Sequence, residues 1–200
     1  MSSYGQRKAE CERVAMLEHD AGHLPVVILR PCVVFGRWDP TDRMAYWIWR
    51  ASQNAAFILP EDGLTITRRT YAPDLARAFV QAMTSSNAPG NAYNISETDP
   101  LSFRDTLYWL GKHLKTDPLS RGVSMSSEAL AAKNVKAWSD LPMWIPKTHL
   151  LVDTFKSRAE LGFVSTPPAQ ALAEAADWFL GLQRPPRTGL TTEVEAEIIG

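Results

Sequence analysis

The chain has 200 residues, enough for one domain with a real core or for part of a larger one. Hydrophobic residues make up 45% and charged residues 22%, which excludes a disordered or fibrous chain. A net charge of −1 gives no reason to expect nucleic acid or an acidic membrane as partner. No apolar run reaches the length of a membrane span, and the start lacks the charged-then-apolar layout of a signal peptide. The two cysteines, Cys11 and Cys32, show neither metal-ligand spacing nor a disulfide framework, so a reducing, cytoplasmic setting is expected and no metal site.

Residues 3–19 read as a helix, with Ser2 or Ser3 as cap, Val14 and Leu17 on an apolar side, and Gly22 just past its end. Leu24-Pro25-Val26-Val27-Ile28-Leu29 is a continuous apolar run that reads as a strand buried on both faces. A helix followed by such a strand is a piece of an α/β unit. Residues 33–43 read as a loop leaving the C-terminal end of that strand, the edge where ligands bind in open α/β sheets. Trp38, Asp39 and Arg43 are its candidate substrate contacts; the alternative is a turn built by Gly36, Asp39 and Pro40.

A helix is expected over 44–56, a short strand over 57–60, a turn over 61–63 and a second strand over 64–71. Asp74 is the expected cap of a helix over 75–83, and residues 92–96 read as another short strand. Ser102 caps a helix over 103–114, and a further helix runs over 128–135 from Ser126 or Ser127. Residues 138–151 read as an irregular packed connection, with Trp138 and Trp144 as packing groups, as are Trp47, Trp49, Trp109 and Trp178. A short helix ends at Leu161-Gly162-Phe163, and Pro167-Pro168 opens the last helix, over 169–182. Residues 185–200 read as a loosely held tail.

Tyr4 and Lys8 stand four residues apart, so on a helix they share a face. An ammonium beside a phenol favours the phenolate, and a tyrosine tuned that way can pass protons near neutral pH.

The order of motifs behind this pair resembles the C-terminal half of the extended short-chain dehydrogenase/reductases, the NAD-dependent epimerase/dehydratase family. Tyr4-Gly5-Gln6-Arg7-Lys8 looks like the family's Tyr-x-x-x-Lys helix. Residues 28–39 look like its Leu-Arg-Pro-x-x-Val-Tyr-Gly-Pro-x-Asp strand and loop, with Phe35 for the tyrosine and Arg37 for the proline. Residues 71–79 look like its His-Val-x-Asp-Leu-Ala segment, residues 92–95 like a short strand of its substrate lobe, and residues 159–163 like its Leu-Gly-Phe element.

The resemblance implies the C-terminal part of a Rossmann-like NAD(P)-binding fold plus a small α/β substrate lobe. Residues 1–35 would end the Rossmann-like domain, and residues 36–184 would be mostly substrate-binding lobe. Tyr4 would be the catalytic acid/base, and Lys8 would hold the nicotinamide ribose. Pro31, Cys32 and Val33 would lie against the nicotinamide. Trp38, Asp39 and Arg43 would reach the small-molecule substrate. Arg68 or Arg69 would be a phosphate-binding arginine, although the spacing to Asp74 differs from the family's pattern. The implied cofactor is NAD or NADP.

The family's Gly-rich phosphate loop has no counterpart here, since no two glycines stand as Gly-x-Gly. The family's catalytic Ser/Thr, upstream of the tyrosine, has none either. The expectation is therefore a chain lacking the N-terminal glycine-rich half, with the 26–29 strand left at an exposed edge. Activity would need that half, from a longer gene product or a partner chain. The alternative is a truncated, non-catalytic homologue acting as a binding or interaction module, with a homodimer through the Tyr4–Lys8 helix.

Overall fold

The computed structural model describes residues 3–200. It is a mixed α/β structure in which all three strand pairs are parallel.

Helix α1 (Tyr4–Asp20) starts at Ser3, whose side chain accepts from the Gln6 N–H while the Gln6 side chain accepts from the Ser3 N–H. Ser2, the other expected cap, lies outside the described residues. No residue of α1 is fully buried. Strand β1 (Val27–Pro31) follows, three residues later than expected, because Leu24 and Val26 are spent on a turn against His19. It pairs only with β5 (Asn91–Ile95), and its residues run from half-buried to exposed. The expected strand buried on both faces is corrected here: one edge of β1 has no strand partner among the described residues.

Val33–Phe35, read from sequence as loop, is strand β2. It pairs with β4 (Arg69–Tyr71), which keeps only the last three residues of the expected 64–71 strand. Between β1 and β2, Cys32 donates its N–H to Thr70 Oγ1 at 2.9 Å, and that hydroxyl donates to the Ile95 carbonyl at 2.6 Å. Pro31-Cys32-Val33 is thereby pinned to both neighbouring strands.

Helix α2 (Arg43–Ser52) buries Tyr46, Trp47 and Ile48, and Trp47 Nε1 donates to the Pro142 carbonyl at 2.8 Å. Strand β3 (Phe57–Pro60) is fully buried and pairs with β6 (Gly122–Met125), a strand not expected from the sequence. Helix α3 (Ala72–Thr84) begins before Asp74, which is therefore not its cap. The Asp74 carboxylate instead accepts from Arg77, from the Thr166 N–H at 2.8 Å and from its hydroxyl at 2.6 Å. Helix α4 (Phe103–Leu114) is capped by Ser102 as expected, and α5 (Ser127–Ala132) starts from Ser126. Helix α6 (Phe155–Leu161) stops at Gly162, at φ +66°, and α7 (Pro168–Gly181) opens on Pro168.

Two apolar clusters result. The larger gathers α2, β3, α4 and α7 around Trp47, Phe103, Leu107 and Phe179. The smaller joins α3, β5 and α6 through Ala78, Tyr93, Ile95 and Phe163.

The expected loose tail over 185–200 is corrected. Helix α8 (Thr192–Ile199) packs onto β3, with Glu195 completely buried against Arg50. Tyr46 Oη donates to Glu195 Oε1 at 2.7 Å, and the Ile58 N–H donates to the same oxygen at 3.1 Å. A charged residue inside an apolar-looking helix had a partner the local sequence did not reveal.

Candidate active site

An open groove of about 770 Å³ is lined by α1 and β1. Tyr4, Lys8, Cys11, Glu12 and Ala15 line it from α1, at the spacing of one helix face. Pro31, Cys32 and Val33 form its floor, and Trp38, Asp39 and Arg43 come from the loop before α2 and its first residue. The proposed acid/base, ribose, nicotinamide and substrate residues other than Arg68 and Arg69 therefore meet in one place. Tyr4 is 73% exposed within it.

The groove has fixed walls. Arg30 holds Glu12 through Nε at 2.9 Å and through Nη2, tying α1 to β1. These hydrogen bonds hold the Glu12 carboxyl below its ordinary range, against the opposing effect of burial. Burial pushes the Cys32 thiol up, so Cys32 faces the groove as a neutral thiol.

Loop 36–42 combines both readings left open by the sequence. Asp39 Oδ1 accepts from the Thr41 N–H at 2.8 Å and its hydroxyl at 2.6 Å, so this carboxylate builds the turn while bordering the groove. Gly36 is at φ +119°, and a Cβ there would stand 2.8 Å from the Tyr71 ring. Trp38 is exposed at φ +69°, rests edge-on against Trp178 at 5.8 Å, and carries the Arg37 guanidinium 5.1 Å from its ring centre.

Arg68 and Arg69 do not join the site. Arg69 is 2% exposed; its Nε lies 3.2 Å from Glu97 Oε1, and its Nη1 donates to Thr106 Oγ1 at 2.7 Å. Burial pushes the Glu97 carboxyl up against the pull of Arg69. Arg68 donates to the Glu97 carbonyl. Neither arginine is among the residues lining this groove: Arg69 is buried on Glu97, and Arg68, half-buried, bonds the Glu97 carbonyl.

A second groove, of about 720 Å³, adjoins the first and shares its floor. Tyr4, Pro31, Cys32, Val33, Arg30 and Arg43 border both grooves, and Asn94, Trp138, Leu150 and Val152 border only the second. These four were missed from the sequence. Trp138 read as a packing group, and its pairing with Arg43, 5.1 Å from the ring centre, spans too much chain for any local pattern to reveal.

The structure is a mixed α/β fold with parallel strand pairs, and the groove lies between α1 and β1. Residues 1–96 match the model of the NAD dependent epimerase/dehydratase family. A UDP-glucuronic acid 4-epimerase from Bacillus cereus, solved with NAD, is similar in structure: TM-score 0.69 and 21% identity, covering 92% of this chain and 54% of that chain. A dTDP-glucose 4,6-dehydratase from Bacillus anthracis, solved with NAD, gives TM-score 0.66 and 16% identity over 90% of this chain and 53% of that one. RMD from Pseudomonas aeruginosa, solved with NADPH, gives TM-score 0.65 and 11% identity over 89% and 56%. At these identities the likeness establishes the fold. The chain spans about half the length of the solved structures it matches. No curated protein matches it. Among the described residues no helix is long and apolar enough to cross a membrane.

Proposed function

We propose that this chain carries the proton-transfer and substrate-facing side of an NAD(P)-dependent oxidoreductase of the epimerase/dehydratase type. The observation that carries this reading is the convergence of Tyr4, Lys8, Pro31–Val33 and Arg43 on one groove. On this reading residues 1–35 close a nucleotide-binding domain, and most of 36–184 forms the substrate lobe.

The groove suits one end of the cofactor. A phenol, an ammonium and a flat floor of Pro31, Cys32 and Val33 fit a nicotinamide ribose. The pyrophosphate has no cradle, because the sequence holds no Gly-x-Gly turn. When bound, the dinucleotide supplies a carbon that accepts or returns a hydride. Tyr4 then gives its hydroxyl proton to the substrate oxygen in one direction and takes it back in the other. Lys8 donates hydrogen bonds to the ribose.

The test uses the chain assembled with a segment that carries a glycine-rich turn, whether encoded upstream in frame or on a partner chain. Lys8→Met is expected to weaken NAD(P) binding about tenfold, the worth of one charge-assisted contact, while Tyr4→Phe leaves it nearly unchanged. Equal binding by wild type and Lys8→Met would sink the ribose role.

A second reading is a non-catalytic interaction module. It is supported by α1, which keeps Val14 and Leu17 exposed on the flank away from the groove and so offers a helix pairing face. Sedimentation equilibrium decides it: a dimer dissociated by Leu17→Glu favours this reading, and a monomer removes it.

A further inference from the structure

The second groove carries more than the resemblance implies. It shares Tyr4 with the first, so a molecule seated there lies beside the same residue. No carboxylate lines it. Of its two cations, Arg30 is already held by Glu12, whereas Arg43 has no ion-pair partner among the described residues. Lys8 and Arg37 line only the first groove.

Arg43 is also prepared for one kind of ligand. Its guanidinium carbon lies over the Trp138 ring, 5.1 Å from the ring centre. Held by this cation–π contact and without an ion-pair partner among the described residues, the guanidinium keeps N–H donors for a carboxylate. Trp138 is held at φ +69° in a tight turn in which the Lys136 N–H donates to Asp140 Oδ2 at 2.8 Å and the Asp140 N–H donates back to the Lys136 carbonyl at 3.1 Å. Beyond the tryptophan the wall is Leu150 and Val152, which continues an apolar surface.

We propose that the second groove is the substrate subsite and takes a compact molecule with one anionic group and a planar or apolar body, the anion on Arg43 and the body against Trp138, Leu150 and Val152. This rests on the reading of Tyr4 as the proton-transferring group. A nucleoside diphosphate is disfavoured. It spreads charge over two phosphoryl groups, and the groove offers a single uncommitted guanidinium, because Arg30 is held by Glu12.

The test is calorimetric titration of the 200-residue chain with trans-cinnamate and, separately, with UDP-glucuronic acid. Cinnamate is expected to bind more tightly of the two. Arg43→Met should weaken it about tenfold or more, and Trp138→Leu should weaken it several-fold. Arg43→Lys, which keeps the charge and loses the planar fork, should recover only part of the loss. Matching thermal midpoints confirm that each variant is folded, so an unstable Arg43 variant leaves the Trp138 variant to decide. Tighter binding of UDP-glucuronic acid, cinnamate binding indifferent to both substitutions, or binding of neither probe would overturn the proposal. These titrations need no dinucleotide and no turnover, so a failed acid/base role for Tyr4 would leave them unchanged.

Discussion

The Asp42 carboxylate accepts from both terminal nitrogens of Arg184, with Oδ2 2.7 Å from Nη1 and Oδ1 3.1 Å from Nη2. The Arg187 N–H adds a third bond, to Oδ2, at 3.0 Å. Asp42 is 1% exposed and precedes α2 at φ +54°, where an aspartate would ordinarily cap the helix with its side chain. Here the side chain is turned instead to the segment after α7. The loop that brings Trp38, Asp39 and Arg43 to the groove is thus anchored by the far end of the chain.

Arg184→Met should therefore act on that loop. The substitution leaves a buried carboxylate with only the Arg187 N–H, at a cost of about 2–3 kcal/mol. Hydrogen exchange should accelerate over 36–43 more than over α4. Uniform acceleration across the chain would show that the contact is merely global.

The same contact has a pH signature. Burial acts to raise the Asp42 carboxyl, but hydrogen bonds from Arg184 and Arg187 outweigh it and leave it below its ordinary value of 3.8. A carboxyl lowered by folding contributes stability that is present above its unfolded value and lost as pH falls through the folded one. The stability gap between wild type and Arg184→Met should be constant above about pH 5 and shrink below pH 3.8, as read by urea unfolding. A gap that widens on acidification would contradict the assignment.

Glu195→Ala leaves Arg50 buried without its carboxylate partner, facing only Thr192 Oγ1 and the Leu190 carbonyl. A loss of about 3–5 kcal/mol is expected from breaking a buried pair on one side. Proteolysis between 183 and 200 should become fast in the variant. A thermal midpoint equal to wild type would mean that α8 is not held by this contact.

Gly36→Ala places a Cβ against the Tyr71 ring at a backbone angle alanine avoids. Destabilisation of about 1–3 kcal/mol is expected from the strain. Gly5→Ala, with open space around its Cβ on a helix, should instead stabilise slightly. The opposite order in a denaturant series would refute the geometry of the loop.

What could be read from the sequence followed local chemistry. The Ser3 and Ser102 caps, the glycine stop at Gly162 and the Tyr4–Lys8 face are set by neighbours a few residues apart, so their patterns were visible. Strand β6 and helix α8 were not, because their reasons lie elsewhere in the chain: Gly122–Met125 is a strand only beside β3, and Glu195 is tolerable inside only beside Arg50. Within the site, Pro31–Val33 and Arg43 were legible through an ordered motif. Trp138 and Asn94 were not, since nothing near them marks a groove. The burial of Arg69 on Glu97 was not legible either, since a strand arginine looks alike whether it meets a ligand or a buried glutamate.

The most direct test of the central claim is turnover of Tyr4→Phe in the chain assembled with its glycine-rich segment. The substitution removes one hydroxyl at an exposed helix position, so the fold should be unaffected. The account predicts a fall in kcat of about 10²–10⁴-fold, the range for a lost general acid/base, with NAD(P) affinity retained. Unchanged kcat would contradict it.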